Sequence, residues 1–95
     1  MVVGVLRVSL HLESVRGLKE KRGIVQKLLA RCRNRFPVSA AETGNQDFWR
    51  SAELGFAMVS SSEQVIAPCL EHIEDEIEAS GLAEIVSAEV EFIHL

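Results

Sequence analysis

The residues best suited to chemistry cluster at one point in the chain. Lys19, Lys21 and Arg22 crowd the stretch Gly17-Leu18-Lys19-Glu20-Lys21-Arg22, and Lys27, Arg31, Arg33 and Arg35 follow. These are seven of the ten Lys and Arg residues, opposed locally only by Glu20. Such a run suits phosphate groups, each cation neutralising one phosphate of a polyanion. If the run begins a helix, its first turn adds free N–H groups and the positive end of the dipole. An anion is the fitting partner there. Three cations at that end act against their own helix, which marks them as candidates for function. The alternative is that Asp47 or Glu13 pairs with Lys21 or Arg22 and the cluster satisfies itself. A second conspicuous stretch, Asn45 to Arg50, holds Asp47, Trp49 and Arg50. Trp49 is expected to plug the edge of the core, with base stacking as the alternative. The candidate anion- or RNA-binding residues are therefore Lys19, Lys21, Arg22, Lys27, Arg33, Asp47, Trp49 and Arg50.

No other chemistry stands out. No Ser/His/Asp or Cys/His arrangement is visible, so no catalytic residue is assigned. Cys32 and Cys69 have neither disulfide-framework nor metal-ligand spacing and read as buried thiols on helix faces. His11, His72 and His94 fall on different elements, so no metal site and no cofactor are expected.

Composition bounds the rest. Ninety-five residues, 47% apolar, make one globular domain. No apolar run is long enough to span a membrane, and the N-terminus lacks the basic region of a signal peptide, which points to the cytoplasm. The net charge of −4 hides an asymmetry: Ser62 to Leu95 carries nine acidic residues and no Lys or Arg. Screening keeps a basic face usable on an acidic protein, although solvated helix surfaces explain the same pattern.

Periodicity supplies the elements that must position these groups. Val2 to Glu13 alternates and reads as a strand. From Leu18 to Phe36, apolar residues centred on Val25 and Cys32 share one side of a helix, with Lys19, Gln26, Lys27, Arg33 and Asn34 opposite. Pro37 ends it. Val38 to Thr43 and Ala52 to Ser60 read as a hairpin around Gly44-Asn45. Ser60 and Glu63 have capping-box spacing for a second helix ending at Ser80-Gly81. Pro68 either kinks this helix or marks its first turn. Glu84 to Leu95 is the last strand, with Val86, Ala88, Val90 and Phe92 on one face. The order β-α-β-β-α-β predicts an α+β, ferredoxin-like sandwich: a four-stranded antiparallel sheet, order 4-1-3-2, with both helices on one face. That topology sets the basic helix start beside the Asn45–Arg50 loop.

Three stretches carry a resemblance: Gly17 to Arg22, Arg33 to Glu42, and Gln46 to Gly55. They resemble the YlxP-like family of small bacterial proteins, a domain of unknown function, with Gly17 where the family usually has Ser. The resemblance implies a ferredoxin-like fold. It also implies a link to ribosomes or RNA, since the family's genes tend to lie beside translation genes. It implies no catalytic residue.

The expected function is thus a non-enzymatic, RNA- or ribosome-associated binding module, with rRNA or a ribosomal subunit as partner. A structural or regulatory homodimer binding a small anion is the alternative. An acylphosphatase-like hydrolase, which would use Arg16 and Asn45, lacks that family's glycine-rich first loop. A homodimer is expected from the sheet face away from the helices, where Val5, Gly55, Ala57 and Ile93 form an apolar strip beside Arg7.

Overall fold

Alternation decides the strand faces, as the computed structural model of residues 1–95 shows. In β1 (Val2–His11), Val2, Leu6, Val8 and Leu10 are buried, while Val3, Val5 and Ser9 are half-buried and Arg7 is exposed. β3 (Ser51–Ser60) likewise buries Ala52, Leu54, Phe56 and Met58. β2 (Ser39–Gly44) and β4 (Glu84–His94) complete an antiparallel sheet of order β2-β3-β1-β4. Two helices cover one face: α1 (Leu18–Arg35), which buries Val25, Leu28, Leu29 and Cys32, and α2 (Glu63–Ser80), which buries Ile66, Leu70, Ile73 and Ile77. This is the ferredoxin-like β-α-β-β-α-β arrangement expected from the periodicity. No helix is long and apolar enough to cross a membrane.

Gly4 lets α2 sit close on β1. A Cβ there would lie 2.2 Å from Ile66 Cγ2, so any side chain would lift the helix. Gly17 caps α1 without a side chain, and the Glu20 carboxylate instead accepts from the Arg16 N–H at 3.3 Å. Gly81 ends α2 in the left-handed region, at φ 68°, where glycine has no Cβ to clash.

Three expectations need correction. The cap of α2 is Ser62, not Ser60: its hydroxyl accepts from the Gln64 N–H at 3.1 Å, while Ser60 is still paired in β3. Pro68 lies inside α2, beyond its first turn. In β4 a bulge opposite Ser9 and Leu10 shifts the register, so Ile85, not Val86, pairs with Leu10. Ile85 packs on the core and Val86 is left exposed, because one extra residue reverses the faces beyond it.

Candidate functional site

The start of α1 and the β2–β3 loop meet at one end of the sheet. The Lys21 ammonium donates to the Asn45 carbonyl across the gap, and the Leu12 N–H donates to the Arg50 carbonyl at 2.9 Å. Asn45 turns the chain with φ 61°, and its amide donates to the Ser51 hydroxyl at 3.0 Å. The predicted neighbourhood is therefore present, but its members differ in role.

Lys21 is not available to a ligand. It is 0% exposed, the one charged residue among the buried set, and its Nζ lies 3.1 Å from Glu42 Oε2. Glu42 stands on the helix-facing side of β2, beneath the first turn of α1. The ammonium aims its hydrogen bond at Asn45, so Glu42 Oε2 is held by charge, with no aligned hydrogen bond of its own. The partner is thus neither Asp47 nor Glu13. A cation at this end of a helix is unfavourable by itself, but a buried carboxylate beneath it reverses the sign. The candidacy of Lys21 for anion binding is withdrawn on this geometry.

Other basic residues are also engaged. Arg31 Nε and Arg35 Nη1 both contact Glu76 of α2, at 2.9 and 3.0 Å, and join the two helices. Arg33 donates to the Ala40 carbonyl of β2. Lys19, Arg22, Lys27 and Arg50, with Arg16, remain exposed and without a carboxylate partner. Arg22 and Arg33 border a groove of about 340 Å³ between α1 and β2, together with Gln26 and Glu42.

The loop supplies the second surprise. Trp49 is 52% exposed and Phe48 59%, so Trp49 does not plug the core. Leu10 of β1 and Leu12 and Val15 of the connection to α1 are already buried at that end, and the indole stays outside them. Phe48, an aromatic of the same loop but not among the candidate binding residues, stands beside it and Arg50 follows. Asp47 is exposed and unpaired, a carboxylate unsuited to meeting a phosphate directly.

Remaining groups fall elsewhere. The largest groove, about 440 Å³, lies between the β1–α1 and α2–β4 connections and is lined by His11, Glu13, Glu20 and Glu84 among others. No group of three or more His, Cys, Asp or Glu residues is placed to hold a metal. His94 pairs with Glu63. Both cysteines are free; Cys32 is buried, whereas Cys69 is only half-buried, short of the expected full burial. Burial, and then the charge of Glu76, push the Cys32 thiol up to about 11.

Comparison with known proteins gives the family and the fold. Residues 3–90 match the family described as "Protein of unknown function (DUF503)". The chain belongs to that family. A 45-residue segment is 49% identical to the uncharacterized protein YlxP of Bacillus subtilis (strain 168). That segment covers 47% of this chain and 49% of YlxP, so the match spans about half of each. Among solved structures, the de novo designed LFR1 1, with a ferredoxin fold, aligns with a TM-score of 0.60 and 16% identity, over 95% of this chain and 84% of its own. The structural-genomics protein YJCS aligns with a TM-score of 0.57 and 13% identity, over 97% of this chain and 99% of its own. At such identities the likeness concerns fold alone.

Proposed function

We propose that this DUF503 protein is a cytoplasmic, non-enzymatic RNA-binding module, with single-stranded segments of ribosomal RNA as the expected target. One observation carries the reading: two exposed aromatic side chains, Phe48 and Trp49, share one end of the sheet with cations that lack partners. Exposed aromatics offer faces on which bases stack, at about 1–3 kcal/mol per base. Lys19, Arg22 and Arg50 are positioned to follow the backbone phosphates, with Lys27 further along α1. Removing Lys21 from the set changes the ligand class. Without it nothing at the helix start encloses a small anion, whereas an open array of cations and aromatics suits a polymer. The open sheet face carries no aromatic residue, so the mode differs from that of an RRM.

Trp49 is the sole tryptophan, so its fluorescence reports directly on the site. Titration with a single-stranded oligoribonucleotide should quench it. Log affinity should fall against log salt by about 0.7 per phosphate contacted. Replacing Lys19, Arg22 and Arg50 together by Glu should abolish binding with the far-UV spectrum intact. No quenching, or an affinity indifferent to salt, refutes the proposal.

A further inference from the structure

The two edges of the sheet are unlike. β2 is short, and two of its carbonyls already accept from side chains: Ala40 from Arg33, and Glu42 from Gln46 at 3.5 Å. β4 is longer, and no hydrogen bond reaches its far side. Its register says which groups lie open. Met1 and Leu95 exchange both backbone hydrogen bonds, at 3.0 and 2.8 Å. Antiparallel pairs alternate between bonded and open. Counting back from Leu95, Ile93, Glu91 and Glu89 bond to β1, while Phe92, Val90 and Ala88 turn their N–H and C=O groups outward. The side chains of these three stand on the helix side of the sheet, opposite Gly4, Leu6 and Val8, and Val90 is 46% exposed.

Carboxylates flank this edge on both faces. The outer sheet face carries Val5, Gly55, Ala57 and Ile93, with Thr43 leaning over Gly55 and Arg7 held 3.8 Å from Glu53 and 3.6 Å from Glu89. Beside the edge, Glu89, Glu91, Val5 and Arg7 border a hollow of about 280 Å³, and Glu91 has no ion pair. On the other face, α2 turns Glu76 towards α1 and Glu63 towards His94 of β4. Glu74 and Glu78 follow Glu63 by about three and four turns, so they lie on its side of the helix. Burial, and then Glu78, Asp75 and Glu71, hold the Glu74 carboxyl above its ordinary value. From Ser62 to Leu95 there is no Lys or Arg to relieve this charge.

We propose that the β4 edge binds an extended basic polypeptide, which adds as a fifth strand beside Ala88, Val90 and Phe92. An open edge is a template for a strand, and main-chain hydrogen bonds supply the affinity. Charge selects the occupant. Side chains of an added strand alternate between faces. Lys or Arg on the outer face meets Glu89 and Glu91. On the helix face, apolar groups continue the row of Val90 and Phe92, and a long cationic side chain reaches over them towards Glu74 or Glu78. A second copy is the wrong partner. Two β4 edges paired about Glu89 or Glu91 set that residue on its own copy, and pairing about Val90 sets Glu89 on Glu91. Like charges directly opposite destabilise a strand pair. The same carboxylates repel nucleic acid, so this site is independent of the RNA-binding reading.

The probe is a fluorescein-labelled synthetic peptide that alternates Lys with Thr or Val and matches β4 in length. Its anisotropy should rise on titration with the protein, and amide exchange should slow at Ala88, Val90 and Phe92. The same peptide N-methylated throughout keeps its charge, has no backbone donors, and should not bind. Val90→Pro removes an outward N–H while its neighbours keep their bonds to β1, and should weaken binding about tenfold with an unchanged far-UV spectrum. Glu91→Lys should weaken it about fivefold, whereas Glu13→Lys, the same charge change away from the edge, should leave it within about twofold. No binding, equal binding of the N-methylated peptide, or an equal loss from Glu13→Lys overturns the proposal. So does a free protein of twice the 10.5 kDa protomer mass with its β4 amides already protected, since a second copy then holds the edge.

Discussion

Replacing Lys21 by Met tests the reading of the basic cluster most directly. Met keeps the length and apolar stem of Lys21 but removes the charge, and the site is 0% exposed. Glu42 Oε2, 3.1 Å from the ammonium and without an aligned hydrogen bond, would be left buried and unopposed. The Asn45 carbonyl would also lose its donor. Breaking a buried pair from one side costs about 3–5 kcal/mol. The Glu42 side chain keeps 17% of its exposure, so water can reach part of it and the lower end, about 3 kcal/mol, is expected. For a domain of this size that lowers Tm by roughly 12 °C or more. Glu42→Gln alone should cost a similar amount, because it leaves the ammonium unpaired. The double variant should cost less than the sum, about 4 rather than about 6 kcal/mol, a coupling energy of about 2 kcal/mol in a double-mutant cycle. Chemical and thermal denaturation of the four proteins measure it. If Lys21→Met costs less than about 1 kcal/mol, or the two effects simply add, the pair is not structural and the assignment of Lys21 fails.

Other outcomes follow from the same geometry. Trp49→Ala should leave stability within about 0.5 kcal/mol, because an exposed indole holds nothing together, yet weaken RNA binding by about 1–3 kcal/mol; a large fall in Tm would restore the core-plug assignment. Glu76→Ala should cost about 1–2 kcal/mol by releasing Arg31 and Arg35 together, with a smaller effect at high salt. Cys32, raised from 9.0 to about 11, keeps its stabilising neutral form below pH 9, and that stability is lost as pH rises through 11. The loss approaches a few kcal/mol, on the order of 1.4 per pKa unit, and Cys32→Ala should remove this part of the alkaline denaturation curve. Glu74 is raised by burial and then by Glu78, Asp75 and Glu71, so its ionised form opposes folding. Glu74→Gln should stabilise the protein at neutral pH, and the gain should vanish as pH falls below about 4.5.

The fold was legible because each element carries its period. Alternation in β1 and β3 and the 3.6-residue spacing of Ile66, Leu70, Ile73 and Ile77 are local facts, and one buried face per element leaves few ways to assemble them. The order of elements also sufficed to bring the start of α1 beside the Asn45–Arg50 loop. The β4 bulge was hidden because Ile85 and Val86 are equally apolar; only pairing with Leu10 distinguishes them. Composition made Lys19, Lys21 and Arg22 look alike, and tertiary structure separated them. Lys21 falls on the side of α1 that faces the sheet, where Glu42 arrives from another element, while Lys19 and Arg22 point to solvent. Trp49 was misjudged for the matching reason: whether an indole is covered depends on what else packs at that end, and Leu12 and Val15 are buried there without it. Sequence thus determined which groups share an end of the molecule. Which of them remain free is a matter of burial and partner distance, and those belong to the packed chain.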